Sequence, residues 1–205
     1  MRVPTLAWFA LVVLILTATP GPGVFYVTAR AVSQGRRAGF ASMFGIETGE
    51  VVWLVAAATG VAALLAASAE TLTFLRWGGA AYLVFLGIQR WRHAETIEMP
   101  AAAPLARLFI QGVVTQLLNP KVAVFFLAFL PQFIDPSRPI APQVAVLGAI
   151  YIAVAISVDV CYVTASSALG SRLLRSRTAQ KRTAQASAAT YVALGVVTAV
   201  EGARG

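Results

Sequence analysis

The sequence predicts an all-α integral membrane protein with about six transmembrane helices, arranged as two inverted three-helix repeats. Three observations lead to this fold class. The chain has 205 residues, 59% of them hydrophobic and only 12% charged, whereas a soluble domain typically carries about 25% charged residues. The apolar residues form runs of the length that a helical span needs, about 20 residues. Proline-containing interruptions recur at matching places in the two halves of the chain.

Six apolar runs are candidate transmembrane helices. They cover residues 5–29, 40–67, 72–89, 108–134, 140–169 and 183–200. The first run has no charge, the third is short and contains Arg76, and the sixth is uncharged but rather polar. We therefore expect a single transporter domain over residues 1–205. Its repeat halves are approximately 1–92 and 105–202, and a flexible, proline-containing linker covers 93–104.

The basic residues predict the orientation in the membrane. Eleven of the 16 lysines and arginines fall in the loops after the first, third and fifth predicted spans. Short loops rich in Lys and Arg stay cytoplasmic, so both termini are expected outside the cell inner (plasma) membrane. The same bias explains the net charge of +8 without nucleic acid as a partner. The first run could instead be a cleaved signal peptide, but the five apolar runs that follow favour a retained helix.

Two interruptions of the apolar runs predict broken helices. The first consists of Thr19, Pro20, Gly21 and Pro22, and the second of Asn119, Pro120 and Lys121. Proline removes a backbone donor and clashes with the preceding turn, so both spans should bend or break. The freed carbonyls cannot face lipid and must be buried or line a wet cavity. Interrupted helices in matching positions of inverted repeats point to a substrate-binding site, although a kink that only shapes packing is the alternative.

Four charged residues fall well inside predicted spans: Glu47, Glu50, Lys121 and Asp159. Each costs about 2.5 to 3.5 kcal/mol at a helix centre on insertion scales, which makes such residues functional candidates. Glu47 and Glu50 share one helix face and form a candidate proton carrier, with Asp159 as a further candidate. Lys121 lies too deep to reach the cytoplasmic surface easily. We expect it to pair with a carboxylate of the other half, first of all with Glu50.

Smaller signals concern packing. The spacing Gly45-x-x-x-Gly49 in the second span is typical of close helix contact. Trp8, Trp77 and Trp91 lie near span ends, where interfacial anchors are common.

Three stretches of the sequence carry a family resemblance. They are residues 19–23 followed by 35–39, residues 78–87, and residues 118–121 running into the aromatic segment 125–134. In these stretches the chain resembles the LysE/RhtB family of amino-acid exporters, which includes homoserine, threonine and lysine exporters. The resemblance implies export of amino acids or related small metabolites driven by the proton-motive force. Glu50 falls where the family often has an acidic residue, whereas Glu47 stands where small or apolar residues are usual.

The predicted function is therefore a secondary transporter that exports small amino acids or derivatives in exchange for protons. No nucleophile is paired with a base, so we expect neither an enzyme nor catalytic residues. No pattern of Cys or His predicts a metal or another cofactor. The expected partners are the substrate, protons and the lipid bilayer, and a homo-oligomer is compatible with the sequence. A small-solute channel or a membrane scaffold without coupled transport is the alternative.

Overall fold

The computed structural model describes residues 3–65, 69–92 and 101–175, and short pieces between residues 185 and 200. Within these ranges the chain is helical and has no strand. The elements are α1 (Val3–Ala18), α2 (Pro22–Gln34), α3 (Arg36–Leu65), α4 (Ala69–Arg92), α5 (Leu105–Leu117), α6 (Pro120–Val124), a π-helical turn (Phe125–Phe129), a 3₁₀ turn (Leu130–Phe133) and α7 (Ile140–Arg175). The all-α fold class is confirmed. Much of the predicted sixth span and of the linker lies outside the described residues.

In the described residues, four spans are recognisable by length and hydropathy if each bent pair of helices is counted as one span. Two are continuous, Arg36–Gly60 within α3 and Ile140–Ala168 within α7. The other two are bent pairs: α1 meets α2 at 53°, and α5 meets the segment Pro120–Phe133 at 48°. The predicted breaks in the first and fourth spans are thus confirmed. The helix α4 (Ala69–Arg92) covers the predicted third span but is not among the four. The total of six stays a prediction.

Each break is built from the residues that interrupt the apolar run. In the first, Gly21 is the extended N-cap of α2 and Pro22 occupies its first turn. In the second, Asn119 caps α6, its side chain accepting a hydrogen bond from the backbone N–H of Lys121, and Pro120 follows. Proline suits these positions because a first-turn N–H has no partner within the helix. Each new helix therefore begins where the sequence places the proline.

The helices α3 and α5 approach each other through glycines. A Cβ on Gly49 would lie 2.7 Å from Cβ of Gln116, and one on Gly112 would lie 2.5 Å from the carbonyl oxygen of Ser42. Gly45 faces the α5 backbone at the same crossing. Close approach of this kind is what small residues permit inside a membrane. The glycine spacing at positions 45 and 49 therefore marks a real helix contact, and Gly112 is its counterpart on α5.

Two apolar cores lie on either side of the breaks. The larger, called the aromatic core here, is built mainly from α1, α7 and the segment after Pro120; its aromatic members are Phe9, Phe125, Phe126, Phe129, Phe133 and Tyr151. The smaller joins α2, α3 and α7 through Val27, Met43, Ile46 and Val163. Trp8, Trp77 and Trp91 are exposed on the outer surface, as expected for side chains that meet lipid headgroups.

A short turn connects the 3₁₀ segment to α7. Buried Gln143 accepts from the backbone N–H of Asp135 and donates to three carbonyl groups of the turn. The carboxylate of Asp135 accepts hydrogen bonds from the hydroxyl of Ser137 at 2.6 Å and from its backbone N–H at 3.0 Å. These bonds lower the pKa of Asp135 below its usual value. The turn is thus held by its own polar groups and takes no part in the buried polar cluster described next.

The end of the linker is tied to α2. Buried Arg30 donates from Nη1 to the carbonyl of Ala101 at 2.7 Å and from Nη2 to Oε1 of Gln111 at 3.1 Å. The side chain of Gln34 accepts from the backbone N–H of Ala103 at 2.8 Å. These bonds fix the start of α5 against the second half of the first bent span.

Candidate functional site

A small pocket lies where the two broken spans meet. Its walls come from α1, α2, α3, α5, the second break, α6 and α7. The lining residues are Leu16, Thr17, Gly23, Val24, Ile46, Glu50, Gln116, Asn119, Lys121, Val122, Tyr151, Ala155 and Asp159. The volume open to the centre of a water-sized molecule is about 20 Å³, enough for about one water. Helix movement is needed before the pocket can take a larger molecule.

Lys121 closes the first break from the second half of the chain. Its side chain is buried, and Nζ donates to the carbonyls of Leu16 and Thr19, each at 3.1 Å. These carbonyls end α1 and carry the negative end of its dipole, which attracts a cation. The direct ion pair that we expected between Lys121 and Glu50 is absent from the described part of the structure. The expectation was wrong because the break supplies nearer acceptors, although both side chains line the same pocket.

A chain of hydrogen bonds runs from the second break to Glu50. Asn119 Nδ2 donates to Gln116 Oε1 at 3.0 Å, and Gln116 Nε2 donates to Glu50 Oε1 at 2.5 Å. The hydroxyl of Tyr151 donates to the same Glu50 oxygen at 3.2 Å. Trp53 Nε1 also donates to the backbone carbonyl of Gln116 at 3.3 Å. Helices α3, α5 and α7 and the second break are thereby joined through buried polar groups.

Three carboxylates approach one another near the pocket. Glu50 and Asp159 line it and are about 95% buried. Glu47 lies one turn before Glu50 on α3, is equally buried, and is close enough to both to interact electrostatically. Both oxygens of Glu47 and Oε2 of Glu50 are buried, and none of them has a hydrogen-bond partner among the described residues. Within the described ranges, no group of three or more His, Cys, Asp or Glu side chains is arranged to hold a metal ion.

Comparison with known proteins shows the family to which the chain belongs. The profile described as LysE type translocator matches residues 14–202, which is nearly the whole chain. The chain belongs to the LysE type translocator family. It is 35% identical over 171 residues, 81% of each chain, to the homoserine/homoserine lactone efflux protein of Salmonella typhimurium. No solved structure gives a significant match.

Two further relatives of this LysE type translocator are named as a membrane protein and as an efflux protein. An uncharacterized membrane protein of Vibrio cholerae is 34% identical over 80% of this chain and 82% of its own length. The leucine efflux protein of Salmonella choleraesuis is 28% identical over 62% of this chain and 61% of its own. The expected family is therefore confirmed, and with it an integral membrane protein.

Some residues predicted for the site line the pocket of this LysE type translocator, and others lie outside its lining. Asn119, Lys121, Glu50 and Asp159 line the pocket, whereas Glu47 is buried behind it. The residues of the first break are not in its lining; they end α1 and begin α2 and so expose the first turn of α2, at Gly23 and Val24, to the pocket. These residues are Thr19, Pro20, Gly21 and Pro22. Pro120 likewise begins α6 beside the lining residues.

Two residues of the site, Gln116 and Tyr151, were not predicted from the sequence. Both are polar side chains inside apolar runs, buried to about 97% or more. Gln116 precedes Asn119 by three residues, so the two share a helix face. Tyr151 shares the pocket wall with Ala155 and Asp159 at intervals of four residues. This periodicity around the intramembrane charges was the signal that could have identified them.

Proposed function

We propose that this protein exports amino acids or closely related small metabolites across the inner membrane in exchange for protons. The observation that carries the proposal is the charge pattern of the pocket between the two breaks. Lys121 and the first turn of α2 contribute positive charge to its lining, which we call the positive side, and Glu50 and Asp159 contribute negative charge, which we call the negative side. An amino-acid zwitterion carries an ammonium group and a carboxylate on the same carbon, so it matches both sides at once.

The carboxylate of the substrate is bound on the positive side. First-turn amides of a helix have no partner within the helix, and the helix dipole favours an anion there. In α2 these amides belong to Gly23 and Val24, which line the pocket. Two donors of Lys121 hold the end of α1, which leaves its third for the substrate. The break residues Thr19, Pro20, Gly21, Pro22, Asn119 and Pro120 act by placing these groups.

The ammonium group of the substrate is bound on the negative side, where it alternates with a proton. Oε2 of Glu50 has no hydrogen-bond partner among the residues that the structure describes, so this oxygen can take either the ammonium group or a proton. A proton arriving from outside displaces the substrate outward, and loss of that proton to the cytoplasm frees the site again. Glu47 and Asp159 both lie close enough to Glu50 to interact with it electrostatically. The relatives named for homoserine and leucine efflux favour a small or medium-sized amino acid as substrate.

The experiment uses purified protein in vesicles loaded with labelled homoserine or leucine. Export should saturate with substrate and accelerate when the outside is made acidic. Glu50→Gln should remove the response to the pH gradient and retain part of the substrate exchange at equal concentrations, because the amide keeps the shape but does not titrate. Glu50→Asp should retain partial activity with a shifted pH profile.

Asp135→Asn is the matched control, since Asp135 is an exposed carboxylate outside the pocket. It should behave as the wild type. Flux that neither saturates nor responds to the pH gradient would mean a channel, and absence of flux for any amino acid would favour a scaffold. If Glu50→Gln still responds fully to the gradient, the proton is carried elsewhere, with Asp159 the next candidate.

A further inference from the structure

The hydrogen bonds between the second break and Glu50 have a fixed direction. The series begins at the backbone N–H of Lys121, which donates to Asn119 Oδ1 at 3.1 Å. Asn119 Nδ2 then donates to Gln116 Oε1, and Gln116 Nε2 donates to Glu50 Oε1. We call this series the amide relay. Each member is buried, with 6% exposure or less, so no member can exchange its partner for bulk water.

The backbone N–H sets the direction of the whole amide relay. An amide side chain can be placed either way round, and its orientation follows from its hydrogen-bond partners. A backbone N–H can only donate, so Asn119 must present its oxygen to Lys121 and its NH₂ to Gln116. Gln116 must then accept on its oxygen and donate from its nitrogen. Turning either amide around would set two donors, or two acceptors, against each other in a buried site, at a free-energy cost.

The consequence falls on the two oxygens of Glu50. Oε1 accepts from Gln116, whose nitrogen can only donate, and from Tyr151 as well. A proton on Oε1 would point at the NH₂ of Gln116. Oε2 has no hydrogen-bond partner in the described part of the chain. We propose that Gln116 is a positioning residue: through the amide relay it keeps Oε1 of Glu50 as an acceptor and reserves Oε2 for the exchanged proton, an inference that rests on the proposed proton exchange at Glu50.

The amide relay also links the second break, where Lys121 lies, to the carboxylate of Glu50. Asn119 and Lys121 form the second break, and Gln116 lies between that break and the carboxylate. The other titratable groups facing Glu50 are Glu47 on its own helix, Lys121 on α6, and Tyr151 and Asp159 on α7. A movement of the second break on binding substrate would therefore reach Glu50 through Gln116.

The test compares Gln116→Leu, Gln116→Glu and the control Thr115→Val with the wild type in reconstituted vesicles. Leucine has nearly the volume of glutamine but no donor. Glutamate has the shape of glutamine, but its carboxyl group can donate to Glu50 only while it is protonated. Thr115 is the half-buried neighbour of Gln116 on α5 and does not line the pocket. The readouts are export of labelled homoserine or leucine against pH and infrared titration of the Glu50 carboxyl band, identified by its loss in Glu50→Gln.

We expect Gln116→Leu to move the pH midpoint of both readouts by about one to two pH units toward higher pH. That is the scale of one lost hydrogen bond to a charged group. Gln116→Glu should resemble the wild type at acidic pH and diverge from it as pH rises. Thr115→Val should change neither readout.

Two outcomes would overturn the inference. In the first, both Gln116 variants keep the wild-type pH midpoint and also exchange substrate at equal concentrations as the wild type does. The other is a loss of flux in both variants at every pH with no change in the Glu50 band, which would make Gln116 only structural. If the wild type itself ignores a pH gradient, the proposed function fails. The infrared titration still decides about Gln116, because it needs no substrate and no gradient. If Gln116→Leu does not fold, the isosteric Gln116→Glu carries the test.

Discussion

Replacement of Gly112 by alanine tests whether the α3–α5 crossing holds the site together. A Cβ on Gly112 would lie 2.5 Å from the carbonyl oxygen of Ser42, and 3.1 Å from both Cα of Gly45 and the backbone N of Ile46. All three neighbours are backbone atoms, so no side chain can rotate away. Ordinary contact requires about 3.4 Å, so α5 must retreat from α3 by about 0.9 Å.

The expected cost follows from this displacement. Overpacking of a filled interior costs about 1 to 3 kcal/mol, and a clash with backbone on three sides should fall in the upper part of that range. For a chain of this size, about 2 to 4 °C of thermal midpoint is lost per kcal/mol, so Gly112→Ala should unfold about 4 to 12 °C below the wild type. The same movement would lengthen the bond between Gln116 and Glu50 from 2.5 Å to about 3.4 Å, beyond normal hydrogen-bond length.

The assay is thermal unfolding in detergent, followed by tryptophan fluorescence, together with pH-dependent export in vesicles. Gly60→Ala is the matched control, because it makes the same change on α3, where no described atom outside the helix's own backbone lies within 4 Å of the new Cβ. That variant should keep wild-type transport and unfold about 1 to 4 °C above the wild type, because alanine stabilises a helix by about 0.5 to 1 kcal/mol relative to glycine. If Gly112→Ala unfolds at the same temperature as Gly60→Ala, α5 is not in contact with α3 as described.

Two further predictions concern orientation and the first break. In a background with Cys161→Ser, a cysteine at Ala102 should be protected from external thiol reagents in intact cells and one at Ser137 should react. Both positions are exposed in the structure, and the reverse labelling pattern would overturn the orientation predicted from the basic loops. Lys121→Met should destabilise the protein more than Lys121→Arg. Methionine removes both hydrogen bonds that the Lys121 ammonium donates, to the carbonyls of Leu16 and Thr19, a loss of about 3 to 6 kcal/mol. Equal thermal midpoints for the two variants would show that Lys121 does not hold the break.

The sequence was a good guide to the fold where one physical cause dominates. Apolar runs longer than 18 residues have few solutions other than a helix across a membrane. The prolines at 20, 22 and 120 remove backbone donors in any folded conformation of the run, and both spans are bent at these points. The weaker signals were Gly45 and Gly49, because short glycine spacings are common by chance. Their role becomes evident only with the partner surface on α5, which includes Gly112.

The site was harder to predict because its contacts depend on which helices become neighbours. Glu50, Asp159 and Lys121 were identified as intramembrane charges, but their partners could not be read from spacing. Glu50 and Gln116 are 66 residues apart in the chain, and Tyr151 is 101 residues from Glu50. Glutamine and tyrosine also cost less to bury than a charge does, so neither was singled out in the sequence.

Lys121 shows why a structural and a functional role need not be alternatives for one buried charge. The sequence predicted an ion pair for Lys121, and the geometry lets this side chain both hold the first break and face the pocket without that ion pair. A lysine ammonium has three N–H donors, and two of them close the end of α1. The third belongs to a side chain that lines the pocket together with Glu50 and Asp159. An anion bound there would weaken the hold of Lys121 on the carbonyls of Leu16 and Thr19, because each N–H bond draws on the same positive charge. Substrate binding and opening of the first break would then be linked through one nitrogen atom.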